Sequence, residues 1–183
     1  MERNKVILVD QHDQALGLMD KLEAHIQGQL HRAFSVFVFN DAGELLIQQR
    51  ALHKYHGGGL WTNTCCSHPQ WGEKVLDSAG ERLAFEMGLT CELQFRFGFV
   101  YKAAVENDLI EHEYDHVFFG YSNAKPEPNP DEVAAYRWLS KAEVLQEIQD
   151  SPAQFTFWFK AIVSQIWDKS PASLILLDPQ GKG

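Results

Sequence analysis

The sequence predicts a single α+β domain in which a mixed β-sheet is flanked by helices. Three observations predict this fold: 183 residues with 45% hydrophobic content, hairpin-like strand patterns, and amphipathic helical patterns beside them. We expect residues 1–169 to form the domain. Residues 170–183 stay unassigned, because that tail mixes proline and glycine with an apolar patch.

The first half of the chain contains one strong hairpin pattern and one long loop. Lys5–Val9 is a β-branched run typical of a strand, whereas Leu18–His25 fits either a helical turn or a loop. Ala33–Phe39 predicts a strand that returns through a short turn as Glu44–Gln49. Arg50–Gly72 is predicted to be a long irregular loop, and such a loop in a compact domain is usually functional.

The second half alternates helices with further strands. Lys74–Met87 has the apolar spacing of a helix, and Gly88 is expected to end it. Phe95–Val105 and Glu111–Tyr121 predict two strands around a polar turn, and Ala134–Leu139 predicts a shorter strand. A capping box and an aromatic stripe predict the last two helices, which are Ser140 to about Gln149 and Phe155–Trp167.

Charge and cysteine content limit the class of function. A net charge of −9 disfavours general nucleic-acid binding, although a local basic cluster remains compatible with an anionic small molecule. The three cysteines include the adjacent Cys65 and Cys66, so free thiols and a reducing compartment are predicted. The first residues lack the apolar core of a signal peptide. We expect a cytoplasmic monomer or weak oligomer without nucleic-acid or membrane partners.

Carboxylates and histidines form a candidate metal-binding group in the predicted strand Glu111–Tyr121. Alternate residues of a strand share a face, so Glu111 and Glu113 point the same way and continue an apolar stripe. Burying them is costly without a cation, and the alternative is a solvent-facing strand end. His112 and His116, on the other face, are a competing ligand pair.

Basic residues near the long loop are candidates for phosphate binding. They are Lys21, Arg50, Lys54 and Arg82. Glu86 extends the apolar stripe of the predicted helix, which indicates either a metal or buried partner, or a surface ion pair with Arg82. The run Gly57–Gly59 is not a Walker A motif, because no Gly-Lys-Ser/Thr follows it.

The adjacent thiols have two interpretations. Their spacing does not match the Cys-x-x-Cys pattern of structural zinc sites, and a free cysteine is most often a small buried hydrophobe. A catalytic thiol needs a cleft and a nearby charge or base. Their loop position and the neighbouring His68 favour catalysis by one of them, without proving proximity.

Together these motifs resemble the type I isopentenyl diphosphate isomerases, a branch of the Nudix superfamily. The similarity spans about residues 5–165 and is most specific in WTNTCCSHP at 61–69 and EHE at 111–113. The implied fold is a Nudix-like mixed sheet flanked by helices. The Nudix box is degenerate, because Gly, Arg, Glu and Glu of its general pattern are replaced here; the replacing residues are Ser67, Glu81, Arg82 and Phe85. This loss of paired glutamates argues against diphosphate hydrolysis.

The resemblance implies an isomerase that interconverts isopentenyl diphosphate and dimethylallyl diphosphate in isoprenoid biosynthesis, through a tertiary carbocation. It implies Cys66 and Glu113 as opposing acid/base groups, with Tyr101 assisting proton delivery. The implied ligands of one divalent ion, Mn²⁺, Mg²⁺ or Zn²⁺, are His25, His31, His68, Glu111 and Glu113. Glu86 would bind Mg²⁺ together with the substrate diphosphate. The implied substrate-binding residues are Lys21, Arg50, Lys54 and Arg82 at the diphosphate and Trp158 at the hydrocarbon.

Two other classes of protein share part of this pattern. A Nudix hydrolase of a nucleoside or prenyl diphosphate would have the same fold, Mg²⁺ and cationic residues, but would release phosphate-bearing products. A non-enzymatic metal- or partner-binding module would keep the histidines and would need no paired thiol and carboxylate.

Overall fold

The computed structural model describes residues 3–167, so the expectation for residues 170–183 lies outside the described residues. Within residues 3–167 it contains one nine-stranded mixed sheet and four α-helices. The strands are β1 Lys5–Val9, β2 Ala15–Asp20, β3 His31–Phe39, β4 Leu45–Arg50, β5 Trp61–Thr62, β6 Cys65–Ser67, β7 Leu93–Ala104, β8 Ile110–Tyr121 and β9 Val133–Leu139. The helices are α1 Lys21–Gln27, α2 Val75–Met87, α3 Lys141–Asp150 and α4 Phe157–Trp167. The predicted fold class is confirmed.

Strand β3 is the centre of the sheet, and all of its residues except Arg32 are buried. It pairs in parallel with β8 along its whole length, from His31 opposite Glu113 to Phe39 opposite Tyr121. It also pairs antiparallel with β1, β4 and β6. A parallel pair requires a long crossover connection, which here contains α2 and β7. The predicted β3–β4 hairpin is confirmed by the pairing of Phe39 with Leu45.

The two faces of β3 pack into two separate hydrophobic clusters, as expected for a strand that is buried on both sides. Phe37 contributes to the cluster that contains Phe159 and Ile162 of α4. Its neighbour Val36 points to the other face and joins the cluster that contains Leu83 of α2. The sheet is therefore covered by α4 on one side and by α2 on the other.

Helix α2 follows the predicted pattern closely. Ala79, Leu83 and Met87 form its buried stripe. Gly88 ends the helix in the left-handed conformation at φ +64°, and a Cβ atom there would lie 2.7 Å from the carbonyl oxygen of Glu127. The predicted helix end is confirmed, as is the capping box of α3, in which Ser140 and Glu143 cap each other.

Two parts of the chain differ from the prediction. The weak pattern at residues 18–25 divides into the end of β2 and helix α1, which Asp20 caps through the backbone nitrogen of Glu23. Strand β2 lies at the sheet edge and is largely exposed, so its sequence lacks the continuous apolar run of a buried strand. The stretch predicted as one irregular loop contains the short strands β5 and β6, which supply too few residues for a recognisable period. Of the helices in residues 3–167, none has the length and apolar character needed to cross a membrane.

Candidate functional site

A cavity of about 330 Å³ opens between the sheet, the N-terminus of α1, α2 and α4. Most of the residues singled out from the sequence line it. They are Lys21, Arg50, Lys54, Cys66, His68, Arg82, Glu86, Tyr101, Glu111, Glu113 and Trp158. His25 and His31 are fully buried beside its wall, with ring centroids 4.9 Å apart. The structure thus brings residues from distant parts of the sequence into one place.

Strand β8 carries three buried carboxyl groups on the face that lies towards this region. Glu111, Glu113 and Asp115 are 2%, 7% and 1% exposed, because their side chains pack against residues of other elements. The contacting residues are His25 and His56 at Glu111, His68 and Tyr101 at Glu113, and Ser35 at Asp115. The alternative of a solvent-facing strand end is wrong. The competing pair does not converge, since His112 donates to the carbonyl of Gly28 and His116 pairs with Asp13.

The histidine and glutamate donor atoms converge in two overlapping groups. Atoms of His25, His31, His68 and Glu113 all lie within 4.8 Å of one another, and so do atoms of His25, His56 and Glu111. The His68 Nε2 to Glu113 Oε1 distance is 2.8 Å, and the His25 Nε2 to Glu111 Oε2 distance is 3.3 Å. Two donors bound cis at about 2.1 Å from one ion are about 3 Å apart. These distances therefore fit a divalent ion.

The tautomers of His25 and His31 also fit a metal. Nδ1 of His25 lies 2.5 Å from the carbonyl oxygen of Lys21, and Nδ1 of His31 lies 2.8 Å from that of Gln29. Both Nδ1 atoms therefore carry hydrogen, and each Nε2 keeps a free lone pair. Within residues 3–167 both buried Nε2 atoms lack a hydrogen-bond partner, as does Oε2 of Glu111. Unpaired buried acceptors of this kind are costly, and a bound metal ion would satisfy their lone pairs.

Electrostatics point to the same requirement for positive charge. Burial lowers the pKa of His68 to about 4, so at neutral pH it is the neutral imidazole that binds metals. Burial raises the pKa of Glu113, but the adjacent imidazoles of His31 and His68 outweigh it and hold that pKa well below its ordinary value. The pKa of Glu111 is lowered in the same way by His25 and His56, against burial and the repulsion of Glu113.

The two adjacent thiols point in opposite directions because they are neighbours in a strand. Cys65 is fully buried in the cluster beneath α2, whereas Cys66 lies opposite Ser35 of β3 and lines the cavity. Burial raises the pKa of Cys66 to about 12, partly offset by Arg50, whose Nη1 lies 3.8 Å from the sulfur. Cys66 is therefore a neutral thiol at neutral pH, and Cys65 is a packing residue.

Tyr101 and Trp158 complete the walls near the carboxylates. Tyr101 lies opposite Glu113 in the β7–β8 register, and its hydroxyl donates a 2.6 Å hydrogen bond to Glu113 Oε2. Burial, followed by the charge of Glu113, raises the pKa of Tyr101 well above its ordinary value. The ring of Trp158 lies 5.4 Å from the guanidinium carbon of Arg50.

The basic residues form one crowded cluster in the wall of the cavity. The pKa of Lys21 is lowered by burial and then by the charges of Lys54 and Arg50. Such mutual repulsion is relieved by a polyanion. Arg82 pairs with Glu86 at 2.6 Å, but Glu86 is buried, so this is not the surface pair considered from the sequence.

Glu86 belongs to neither group of converging donor atoms in residues 3–167. Its second oxygen accepts a 3.0 Å hydrogen bond from Gln48. The expected binding of a second ion by Glu86 therefore requires a ligand in the cavity that carries that ion.

Sequence reasoning missed three residues of this site. Glu132 forms ion pairs with Lys54 and Arg82, yet it follows a proline-rich loop without any periodic pattern. His56 lies in a glycine-bearing loop, and no spacing pattern distinguished it from the other histidines. Arg3 lines the cavity and contacts the carbonyl of His68, and no motif marks it.

Comparison with known proteins places these features in context. A family model described as NUDIX domain matches residues 29–159. The chain is 49% identical to a Pectobacterium atrosepticum protein named isopentenyl-diphosphate Delta-isomerase, over 92% of this chain and 94% of that protein. It is 48% identical to a Serratia proteamaculans protein of the same name, over 88% and 90%.

Solved structures show the same fold at low sequence identity. The DR0079 protein of Deinococcus radiodurans superposes with a TM-score of 0.73 at 17% identity, covering 89% of this chain and 99% of that one. The MutT protein of Methanosarcina mazei Go1 gives a TM-score of 0.63 at 16% identity, covering 74% and 91%.

Proposed function

The chain belongs to the isopentenyl-diphosphate Delta-isomerases within the NUDIX domain family, and from this membership we propose that it interconverts isopentenyl diphosphate and dimethylallyl diphosphate. This activity is an intramolecular isomerisation in isoprenoid biosynthesis, and its substrate is a small prenyl diphosphate. One observation carries the residue assignment: the neutral thiol of Cys66 and the Glu113–Tyr101 pair line the same cavity, next to a cluster of basic residues.

The reaction requires two acid/base groups. Moving the double bond adds a proton to one carbon and removes a proton from another, so one group gives a proton and a second accepts one. An unactivated alkene is a weak base, and its protonation gives a tertiary carbocation. Cys66 and Glu113 are proposed for these two roles because both line the cavity and both side chains can carry a transferable proton.

Neighbouring side chains support each acid/base group. The Arg50 guanidinium near the sulfur stabilises the thiolate that forms when Cys66 gives up its proton. Tyr101 keeps its own proton, since its pKa is raised, and orients the Glu113 carboxylate through the 2.6 Å hydrogen bond. The indole of Trp158 lines the cavity and would stabilise the carbocation by about 2 kcal/mol once the bound substrate displaces water.

The proposed diphosphate site is the basic cluster in the cavity wall. Its residues are Lys21, Arg50, Lys54 and Arg82. Glu86 and Glu132 neutralise only part of this charge, so a diphosphate would complete the balance. A Mg²⁺ ion carried by the diphosphate would bind the Glu86 carboxylate.

The proposed metal site at the histidines uses nitrogen and carboxylate oxygen donors. His25, His31, His68, Glu111 and Glu113 would hold one divalent ion, and this donor set suits Mn²⁺, Mg²⁺ or Zn²⁺. When bound, the ion supplies positive charge that stabilises the ionised form of Glu113 in its buried surroundings.

The test is incubation of the protein with isopentenyl diphosphate and Mg²⁺ in D₂O. We expect dimethylallyl diphosphate that carries deuterium, without released phosphate, because the proposed chemistry exchanges protons and leaves the diphosphate intact. Release of phosphate or of a monophosphate without isomerisation would identify a hydrolase instead. The absence of any product from the metal-loaded protein would refute the enzymatic function.

A further inference from the structure

His56 is a buried histidine to which the proposed function assigns no role. It lies on the loop between β4 and β5 and is 7% exposed. Its Nε2 atom lies 3.0 Å from Oε1 of Glu111, and its ring centroid lies 5.4 Å from that of His25. His56 therefore contacts the metal-ligand group at Glu111, whereas His31 and His68 contact it at Glu113.

The glycines of this loop explain how His56 points inward. Gly57 has φ +60°, a conformation that favours glycine, and a Cβ atom on Gly58 would lie 2.6 Å from the carbonyl oxygen of Leu52. The carbonyl of His56 accepts a 3.1 Å hydrogen bond from Arg50, and the ring of Tyr55 packs edge-on at 4.5 Å. The glycine run thus folds the loop tightly and fixes the imidazole towards Glu111.

The donor atoms around Glu111 have the geometry of ligands. Nε2 of His56 and Nε2 of His25 lie 3.0 and 3.3 Å from the two oxygens of Glu111. These distances match the separation of about 3 Å between cis ligands at metal bond lengths near 2.1 Å. The buried Nε2 of His25 and Oε2 of Glu111 also lack hydrogen-bond partners within residues 3–167. The unpaired atoms point to a cation at His25 and Glu111, and the 3.0 Å distance brings Nε2 of His56 within reach of the same cation.

We propose that His56 is an additional ligand of the divalent ion at this metal centre, beside His25 and Glu111. The inference rests on the metal centre of the proposed function.

A simpler role for His56 would be hydrogen bonding to Glu111, and substitution separates the two. His56→Gln keeps an N–H donor of similar reach but removes the imidazole ligand, whereas His56→Phe keeps the ring and removes both functions. His53→Gln is the matched control, because His53 is an exposed histidine of the same loop. The full chain is stripped with a chelator and titrated with Co²⁺, recording the visible absorption band and the dissociation constant.

For a ligand, we expect both His56 variants to bind Co²⁺ at least about tenfold more weakly and with an altered absorption band, while His53→Gln matches the wild type. Wild-type affinity and spectrum in His56→Gln would overturn the inference, whether or not His56→Phe is weakened. Circular dichroism of the metal-free proteins verifies folding, and if His56→Phe does not fold, His56→Gln decides the question.

The titration uses no substrate, so its outcome is separate from that of the proposed function. A protein that isomerises isopentenyl diphosphate while His56→Gln binds Co²⁺ normally would refute the role of His56 and leave the function intact. Weakened Co²⁺ binding in both variants of a protein without isomerase activity would support the ligand role and refute the function.

Discussion

The hydrogen bond from Tyr101 to Glu113 offers a sharp test of the acid/base assignment. Tyr101→Phe removes only the hydroxyl that donates to Glu113 Oε2 at 2.6 Å, and the ring keeps its packing near Phe99. A hydrogen bond to a charged group contributes about 1.5–3 kcal/mol. At about 1.4 kcal/mol per factor of ten, we expect turnover to fall roughly tenfold to a hundredfold.

The same substitution has a predictable pH dependence. The folded-state pKa of Glu113 is depressed, so its contribution to stability is present above the unfolded pKa and lost as pH falls through the folded value. Removing the hydroxyl raises that folded pKa towards its ordinary value. Tyr101→Phe should therefore be destabilised at neutral pH, and the difference from the wild type should shrink in acid.

The assay compares deuterium incorporation and chemical denaturation of Tyr101→Phe with those of Tyr114→Phe across pH. Tyr114 follows Glu113 in β8 but points to the opposite face, so its hydroxyl should be dispensable for turnover. Wild-type turnover in Tyr101→Phe, or an equal loss in Tyr114→Phe, would refute the assignment of Tyr101.

Three further predictions follow from the same geometry. Cys66→Ala should abolish turnover in the deuterium assay, whereas Cys65→Ala should keep most of it and lose about 1 kcal/mol of stability through lost packing; an active Cys66→Ala would contradict the role of the thiol. Lys21→Ala should raise KM about tenfold or more in steady-state kinetics and leave folding unchanged, because it removes one charge from the proposed diphosphate site. An unchanged KM would exclude Lys21 from that site. Gly88→Ala should lower the free energy of unfolding in urea by at least about 1–2 kcal/mol, since φ is +64° and Glu127 blocks the added methyl group; unchanged stability would show that the helix end can relax.

The sequence predicts orientation within an element better than proximity between elements. Alternation in β8 predicts that Glu111 and Glu113 share a face, but it left open whether that face is buried or is a solvent-facing strand end. It could not indicate that His31 would lie opposite Glu113, because that contact depends on the parallel pairing of β3 with β8. Only the resemblance to a family, and not the periodicity, predicted that the three histidines lie beside these carboxylates.

Residues outside periodic segments could not be assigned to the cavity from the sequence. Glu132 and Arg3 reach the cavity through side chains on irregular or terminal segments, where spacing carries no information about direction. His56 depends on a glycine-rich loop whose course is set by close backbone contacts. Strand β2 escaped detection for another reason: an exposed edge strand has little need for an apolar run.

Because Cys66 pairs with Ser35, the register of β6 against β3 determines which of the two sulfurs lines the cavity. A shift of one residue in β6 would exchange the two thiols between cavity and hydrophobic interior without altering composition. The side chains of Asn63 and Thr64 oppose that shift, because they donate hydrogen bonds to the carbonyl groups of Val36 and Leu46. One amide and one hydroxyl, both outside the cavity lining, thus set which of the two sulfurs lines the cavity.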